Sequence, residues 1–576
     1  MYPSSVSFKD VLLDHDYHKG TTEQLFLAQP NDASRIRFCL QSLYEEPPGS
    51  LTSLPDATEM CKPKNDSAAL RARQIGNDYF ASEDFISAMD WYNRSICYAP
   101  KDSENLALGY ANRSAVFLKT GFFKFCLENI EIALNLNCPS GVKEKLLKRQ
   151  EDCLEIMSKR RDNQEIYDAA YDPWSLTHPE GKKTVPMVIE GLEFVKNDFG
   201  SSIFAARDLM PGEVLMIEKA YSNHVKKHSE FTRCANCLNQ NYLNLIPCDR
   251  CTKAMFCSTK CQLEGDRRFH KYECKIKDGM IKFFPNYVWP IGVAIRAVLR
   301  AFTMFDDPQK LKSFIEKIEK EGDNIDFLNF SEKEHFRAAY FLPPNILRTP
   351  VELFKHTREV AAAWYFLQRF TELPFHLTNR ALEDLFLSLL FRFYEIAITN
   401  GIILCNKNED LDTYATGIFT FDKLMKHSCM PNVVRINDKD VLRIVAKRKI
   451  EAGNELVINY SEPYSVFNRK QRQEILQTQF NIYCACEACL NDYPVTDEMV
   501  PSNLVLGKVI CDDLKELNRS FDKNLARMLI QKYQKFIVEN ESNPKLLELY
   551  VAEGVLIVAL CTLMFGPPLK NQFKSI

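Results

Sequence analysis

A dense cluster of cysteines with one histidine constrains this chain more than any other feature of its sequence. Seven cysteines lie between Cys234 and Cys274. By spacing, the cluster forms four pairs: Cys234-x2-Cys237, Cys248-x2-Cys251, Cys257-x3-Cys261 and His270-x3-Cys274. Each pair can present two donors to one ion, and two closed tetrahedral zinc sites need eight ligands. The spacing therefore predicts two structural zinc ions, and the alternative is one ion with bystander cysteines.

A second cluster, CACEAC, spans residues 484–489. Cys484, Cys486 and Cys489 supply three thiolates, one fewer than a closed tetrahedral zinc site needs. Cys429, in the segment LMKHSCMPN, is a candidate fourth ligand. The alternative is that Cys429 is a nucleophile paired with His427, which requires an activated and exposed thiolate. We expect zinc, because the nucleophile interpretation leaves the CxCxxC motif without a fourth ligand.

The overall composition is that of an ordinary globular protein. The chain has 576 residues, 20 cysteines and a formal net charge of -3, so no global field attracts nucleic acid. The N-terminus MYPSSVSFKD lacks a basic-then-apolar signal pattern. The longest apolar run, Val555 to Phe565, is too short to span a bilayer and predicts a core helix. We expect an intracellular protein of cytoplasm and nucleus, where cysteines stay reduced and clusters of them favour zinc.

Residues 67–157 show a helical period with two similar units. The first turns near Ser82-Glu83-Asp84 and stops at Pro100, and the second turns at Gly121 and stops at Pro139. A period of about 34 residues is typical of tetratricopeptide repeats. A final helix from Val142 to Met157 caps them in this interpretation. A plain helical bundle is the alternative.

The rest of the chain predicts a β-rich core with two interruptions. Residues 1–66 are a helical or loop segment, and residues 158–183 form a polar linker. Alternating residues around the Pro-Gly turn of "GLEFVKNDFGSSIFAARDLMPGEVLMIEKAY" predict short strands, and strands recur in VVRI, VLRIVAK and ELVINY with a turn at Asn437-Asp438. Residues 275–410 and 496–576 are mostly helical. The predicted fold class is multidomain α+β.

These motifs resemble the SET and MYND family of protein-lysine methyltransferases, in its branch with N-terminal tetratricopeptide repeats. The Cys234–Cys274 pattern resembles a MYND zinc finger, while GSSIFAARDLMPGEVL, ITNGIIL, KHSCMPN and IEAGNELVINY resemble SET segments. The resemblance implies these domains: repeats 67–157, first SET part 184–233, MYND finger 234–274, helical SET insert 275–410, SET core 411–462, post-SET zinc segment 463–495 and C-terminal helical domain 496–576.

The resemblance also implies a ligand arrangement and a reaction. One finger ion is held by Cys234, Cys237, Cys257 and Cys261, the other by Cys248, Cys251, His270 and Cys274, and the third zinc by Cys429, Cys484, Cys486 and Cys489. The reaction is methyl transfer from S-adenosylmethionine to a lysine of a histone or non-histone protein. The implied cofactor-binding residues are Gly200, Ser201, Asn400, Lys426, His427, Tyr460 and Phe480, and Tyr460 is the implied catalytic residue.

Three residues depart from the family pattern. Lys426 replaces the asparagine before His-Ser-Cys, Ser202 replaces a glycine, and Phe480 replaces a tyrosine. A buried unpaired lysine is costly, so Lys426 must reach solvent or a carboxylate. These departures keep open a second function, that of a catalytically weak or inactive adaptor that binds peptides through its MYND finger and repeats.

The resemblance implies two peptide-binding surfaces. MYND fingers usually bind proline-containing peptides. The concave face of the repeats resembles a carboxylate clamp for the C-terminal peptide of a chaperone, because amide and cationic donors satisfy carboxylate oxygens. The clamp candidates are Arg73, Asn77, Asn112, Lys145 and Arg149. The alternative is a solvated basic helix face.

Overall fold

The structure is a computed structural model of the chain. It describes residues 21–45, 61–159, 187–197, 200–284, 288–325, 330–344, 348–405, 413–461, 463–499 and 501–567, together with residue 571. From residue 160 onward the predicted linker 158–183 lies outside the described residues, as does most of the N-terminal segment 1–66. The surroundings of Gly200 and the side chain of Ser201 also lie outside them.

The helical region that follows the N-terminus is built from paired helices. They are α1 (Thr21–Leu27), α2 (Asp32–Glu45), α3 (Asp66–Ala81), α4 (Phe85–Tyr98), α5 (Glu104–Lys119), α6 (Phe123–Leu134) and α7 (Ser140–Lys159). The first predicted turn is confirmed, with Glu83 at φ 61° and the Asp84 side chain capping α4. Helices α3 and α4 approach closely, since a Cβ at Gly76 would lie 2.6 Å from the Tyr92 ring.

One boundary in this region differs from the prediction. Helix α6 ends at Leu134 with Asn135 as its cap, rather than at Pro139. Pro139 instead lies directly before α7, where its missing N–H costs nothing. The capping helix is also longer than predicted, so residues 158–159 belong to it.

Short strands form the core that follows. They are β1 (Met187–Val188), β2 (Leu192–Asn197), β3 (Gly200–Ala205), β4 (Val214–Lys219), β5 (Ser222–Val225), β6 (Ile246–Pro247), β7 (Met255–Phe256), β8 (Gly401–Cys405), β9 (Thr413–Ile418), β10 (Lys426–His427), β11 (Val433–Asp438), β12 (Val441–Ala446) and β13 (Val457–Ile458). One sheet has the order β1-β4-β12-β11 and another the order β5-β9-β8. The β11–β12 turn falls at Lys439-Asp440, two residues later than predicted, because Asp438 still pairs with Val441.

A helical layer interrupts these strands. It contains α8 (Thr259–Gly265), α9 (Lys271–Phe283), α10 (Val293–Met304), α11 (Pro308–Glu321), α12 (Glu332–Tyr340), α13 (Pro350–Phe370), α14 (Leu373–His376) and α15 (Arg380–Asn400). Helix α2 packs into the same layer, where the Phe26 ring that precedes it lies 5.1 Å from the Phe354 ring and Arg37 pairs with Glu383 at 2.6 Å. The sequence did not predict this return of the N-terminal helices.

The last helices are α16 (Arg469–Phe480), α17 (Glu487–Leu490), α18 (Leu504–Ser520), α19 (Lys523–Glu539) and α20 (Leu547–Phe565). Within the described residues, α20 is the one helix long and apolar enough by length and composition to cross a membrane, although 61% of its apolar window is buried. It is longer than the predicted apolar run. Its fully buried Glu553 pairs with Lys447 at 2.6 Å and with Arg448. A packed helix with a paired internal carboxylate fits the predicted core helix.

A buried polar network joins the helical pairs to the cysteine-rich segment. Fully buried Arg113 on α5 donates to Asn129 Oδ1 at 2.8 Å, to Asn93 Oδ1 at 2.8 Å and to the Leu245 carbonyl at 2.6 Å. Asn93 Nδ2 in turn donates to the Leu243 carbonyl at 2.9 Å. Because buried polar groups need partners, this network holds the segment before β6 against α4–α6.

Candidate functional site

The cysteine-rich segment folds into two separate ligand groups. Their ligand atoms lie within 4.8 Å of one another inside each group: Cys234, Cys237, Cys257 and Cys261 in the first, and Cys248, Cys251, His270 and Cys274 in the second. The structure thus brings the pairs together in the interleaved order that the family resemblance implies. The second pair lies in the turn of the β6–β7 hairpin, and β7 leads directly to Cys257 of the third pair. The Ser258 side chain then caps α8 by accepting the Cys261 N–H, which places Cys261 at the first group.

Both groups suit a divalent metal. In the first, Cys237 Sγ lies 3.5 Å from Cys257 Sγ, and in the second, His270 Nε2 lies 3.2 Å from Cys248 Sγ. Four converging thiolate or imidazole donors with no open position are the donor set of structural zinc.

A third group forms at the far end of the β core. Cys429 Sγ lies 3.5 Å from Cys489 Sγ and 3.9 Å from Cys484 Sγ, and Cys486 completes the set within 4.8 Å. Cys429 is fully buried, which does not suit an exposed nucleophile. The structure therefore joins the distant Cys429 to the CxCxxC motif, as ligand counting predicts.

His427 bridges this group and the adjacent aromatic site. Its Nδ1 accepts the backbone N–H of Tyr460 at 3.0 Å, and its Nε2 lies 3.4 Å from Cys429 Sγ. Burial lowers the pKa of His427 to about 4, so the ring is neutral at physiological pH. Since Nδ1 is an acceptor, the single ring proton lies on Nε2 and points at Cys429. His427 in this tautomer cannot take a proton from Cys429, which removes the nucleophile interpretation.

Tyr460 occupies the centre of the aromatic site. Its ring centroid lies 5.3 Å from that of His427 and 5.6 Å from that of Phe480. Its hydroxyl donates to the Met425 carbonyl at 2.7 Å. Burial raises the pKa of Tyr460 to about 12, so the phenol stays neutral at physiological pH. A neutral phenol that donates its own proton to a carbonyl presents lone pairs to a further donor.

The backbone under these side chains comes from two distant segments. Strand β10 pairs in parallel with β13, with Lys426 opposite Val457 and His427 opposite Ile458. The Asn432 side chain links these two segments. Its Oδ1 accepts the Val457 N–H and its Nδ2 donates to the Glu455 carbonyl, both at 2.9 Å. The parallel pairing places His427 and Tyr460 side by side although 33 residues separate them.

Lys426 reaches both solvent and a carboxylate. Its side chain is 44% exposed, and its ammonium group lies 3.1 Å from Glu455 Oε1. The side chain therefore leaves the aromatic site, and only its backbone contributes to β10. This arrangement meets the requirement that the sequence placed on a lysine at this position.

Two other residues from the sequence analysis, Ser202 and Asn400, have no described hydrogen bond to His427 or Tyr460. Ser202 is buried, and its hydroxyl has no hydrogen-bond partner among the described atoms. Asn400, the last residue of α15, is buried and donates to the carbonyls of Pro343 and Ile396 at 2.7 and 3.1 Å. No described hydrogen bond joins Asn400 to His427 or Tyr460.

The sequence interpretation missed an ion pair behind Tyr460. Arg435 Nε and Nη2 donate to Asp422 Oδ2 at 3.1 and 2.8 Å, and Arg435 Nη1 donates to the Asn459 carbonyl at 2.7 Å. Asp422 is fully buried. The pair holds the peptide that precedes Tyr460. No spacing rule connects these residues, so no sequence signal identifies them.

Comparison with known proteins agrees with this geometry. A family model described as the SET domain matches residues 200–461. Protein-lysine N-methyltransferase SMYD4 of Danio rerio is 23% identical over 74% of this chain and 66% of its own length. Histone-lysine N-methyltransferase SMYD3 of Homo sapiens is 26% identical over 58% of this chain and 68% of its own length.

A plant relative extends the pattern. Histone-lysine N-methyltransferase ASHR1 of Arabidopsis thaliana is 25% identical over 51% of this chain and 53% of its own length. The chain thus spans between half and about two thirds of the length of these relatives. The matches confirm the predicted resemblance to the SET and MYND proteins.

Proposed function

We propose that this SET-domain chain is an S-adenosylmethionine-dependent protein-lysine N-methyltransferase acting on a lysine of a histone or non-histone protein. The observation that carries the proposal is the meeting of Tyr460, His427 and Phe480 beside the Cys429 group, inside the region matched by the SET model. The substrate class follows from the names of the relatives, which are protein-lysine and histone-lysine methyltransferases.

We infer that the cofactor would be held by Gly200, Ser201, Asn400, Lys426, His427, Tyr460 and Phe480. Gly200 shares a strand face with Ser202, whose buried hydroxyl has no described partner, so a polar ligand there would meet an unmet hydrogen-bonding group. Strand β3 borders the segment leading to Tyr460, since the Leu456 N–H donates to the Ile203 carbonyl at 2.8 Å. The bound cofactor supplies an electrophilic methyl group on a sulfonium.

The chain's own residues position the acceptor amine. Tyr460 is fixed by its bond to Met425 and by the Arg435 contact to Asn459, so its phenol oxygen can accept a hydrogen bond from the substrate amine. This orients the amine lone pair, and alignment of reacting groups lowers the barrier by removing orientational freedom. Tyr460 does not remove the amine proton, because its pKa of about 12 keeps it neutral. That proton leaves to water.

The proposed zinc complement is three ions. Two would belong to a MYND-type finger at 234–274 and one to a post-SET segment at 463–495 with Cys429. Zinc would be structural at each site, because all four positions are filled by protein ligands. We propose the remaining domain boundaries as the family resemblance implies them, with tetratricopeptide repeats at 67–157.

The proposed partners are peptides. Proline-containing peptides would bind the MYND-type finger, and an acidic chaperone C-terminus would bind the repeats. One contact supports the binding of an acidic C-terminus by the repeats. Asn112 Nδ2 donates to Asn77 Oδ1 at 2.7 Å, so the two candidate amides lie side by side. Arg73 donates a hydrogen bond to Asn105, and Arg149 donates one to the Ala111 carbonyl. A bound carboxylate must displace these two contacts. Lys145 is exposed.

We also propose residence in cytoplasm and nucleus. The basic tripeptide Lys447-Arg448-Lys449 is not a suitable nuclear signal here, because Lys447 and Arg448 pair with the buried Glu553. Nuclear entry would need another route, such as a bound partner. Fractionation of cells that express the tagged chain tests this proposal.

Two measurements test the enzymatic proposal. Isothermal titration of the zinc-loaded protein with S-adenosylmethionine should show binding, and labelled cofactor should transfer methyl groups into proteins of a cell extract. Tyr460→Phe is the matched control, because it keeps the ring and removes one hydroxyl. Absence of cofactor binding would support the adaptor function instead, which the missing hydroxyl at Phe480 favours.

A further inference from the structure

Arg472 is a fully buried arginine in the first turns of α16. Its guanidinium donates to the carbonyls of Phe467 and Ala488 and, at 3.7 Å, to Cys489 Sγ. Its Nε has no hydrogen-bond partner among the described atoms. Within the part of the chain that the structure describes, no carboxylate forms an ion pair with it.

A buried charge without a counter-charge is expensive. The penalty for removing one ion from water remains large even after the surrounding protein has relaxed. The negative charge that Arg472 faces is the Cys429 group, whose Cys489 sulfur it contacts.

The charge of a filled site matches this need. Four thiolates around one zinc ion leave a net charge of about -2, because each cysteine ligand is deprotonated. We propose that Arg472 is the buried counter-ion of the Cys429/Cys484/Cys486/Cys489 site and a positioning residue for its ligands. This inference rests on the third zinc ion of the proposed function and not on methyl transfer.

The surroundings of the other two ligand groups differ from those of the Cys429 group. Arg250, beside the second group, is half exposed and pairs with Asp266. At the first group, the neutral amide of Asn236 donates to Cys261 Sγ at 3.7 Å. Of the three described ligand groups, the Cys429 group is the one that contacts a fully buried guanidinium without a carboxylate partner.

The same helix connects the metal group to the aromatic site. Gln473, next to Arg472, donates to the Cys484 carbonyl at 2.6 Å and accepts the Cys484 N–H at 3.1 Å. Phe480 ends this helix and packs against Tyr460. Loss of the Arg472 charge should therefore loosen the 484–489 loop first and the aromatic wall second.

Equilibrium competition with a chromophoric chelator tests the proposal on the full zinc-loaded chain. Arg472→Met removes the charge at similar length, and Arg472→Lys keeps it. We expect one of three zinc equivalents to bind about 10- to 100-fold more weakly in Arg472→Met, the range typical for removal of an outer-shell partner. The other two equivalents should be unchanged, and Arg472→Lys should lie closer to the wild type.

Matched controls separate charge from folding. Lys470→Met alters an exposed lysine on the same helix and should change no zinc equivalent. In a Cys429→Ser background, which lacks the third equivalent, Arg472→Met should leave the remaining two unaltered. Weakening of those two would mean that Arg472 supports the whole fold, and would overturn the proposal.

The remaining outcomes are also decisive. Wild-type affinity at all three sites in Arg472→Met contradicts a counter-ion role, as does equal weakening by Arg472→Lys and Arg472→Met. If Arg472→Met does not fold, the Arg472→Lys result decides by itself, because a retained charge predicts a retained third equivalent. A wild-type protein that binds only two zinc ions refutes the third site, independently of any result on activity.

Discussion

The ammonium group of Lys426 lies 3.1 Å from Glu455 Oε1, at a position where the family resemblance implies an asparagine. This ion pair points the lysine out of the aromatic site, and its partner lies two residues before Val457, the β-partner of Lys426. The substitution therefore changes a side chain at the edge of the aromatic site, while the backbone pairing of β10 with β13 is kept.

Lys426→Asn should change stability by less than about 1 kcal/mol, because a half-exposed ion pair contributes little. The new amide should strengthen binding of S-adenosylmethionine and raise turnover, since the family resemblance implies that an asparagine at this position contacts the cofactor. Titration calorimetry and a thermal melt measure both effects. Glu455→Gln breaks the same ion pair and is the control, and equal gains in both variants would assign the effect to the lost pair.

Phe480→Tyr should raise turnover by adding a hydroxyl to a ring whose centroid lies 5.6 Å from that of Tyr460. A second phenol oxygen gives the substrate amine a second acceptor and so tightens its orientation. The measurement is kcat with a fixed substrate. Phe480→Leu removes the aromatic wall and should lower kcat, and an unchanged rate in Phe480→Tyr would show that the missing hydroxyl is harmless.

The rate of methyl transfer should rise with pH up to the pKa of the substrate lysine, about 10.4 in an unperturbed peptide. The neutral amine is the reactive form, and its fraction grows about tenfold per pH unit below that value. Tyr460 contributes no titration there, because burial raises its pKa to about 12. Tyr460→Phe should lower kcat on the order of 100-fold, the scale of a misaligned reactant, without altering the profile. A profile that changes shape in Tyr460→Phe would identify Tyr460 as the base.

Arg113→Ala should destabilise the junction between the helical pairs and the cysteine-rich segment by about 3 kcal/mol, because it leaves buried Asn93, Asn129 and the Leu245 carbonyl without their donor. Hydrogen exchange should then increase in α4–α6 and in the β6–β7 hairpin together. Arg71→Ala, at an exposed position of α3, should stay within about 0.5 kcal/mol. Increased exchange in only one of the two regions would contradict a shared network.

Metal analysis of the purified chain should count about three zinc ions, since three ligand groups each offer four donors. Cys429→Ser should lower the count by one, and chelation of the finger ions should unfold the segment 234–274, which depends on metal for its folding energy. A count of two in the wild type would refute the ligand role of Cys429.

The cysteine ligands were predictable because their pairs are local. Cys234 and Cys237, or Cys484 and Cys486, face one ion through the geometry of a few peptide units, so spacing alone indicates a metal. Helices α3–α7 were predictable for the same reason, because apolar period and turn residues act within a few residues. Their ends shifted by several residues where caps such as Asn135 compete with a following proline.

The partners of buried charges were not predictable from spacing. Arg472 and Cys489, Arg435 and Asp422, and Lys447 and Glu553 meet only after strands and helices have packed. Each charge was visible in the sequence, but its cost depends on burial and on the opposite charge that the fold brings within hydrogen-bond distance.

The sequence by itself determined which residues can bind metal and which segments resemble a SET domain. Only the tertiary structure decided that His427 directs its Nε2 proton toward Cys429, that Tyr460 donates to Met425, and that Lys426 turns outward to Glu455. The physical reason is range. Spacing controls contacts between near neighbours in the chain, whereas the parallel pairing of β10 with β13 sets the contacts between distant ones.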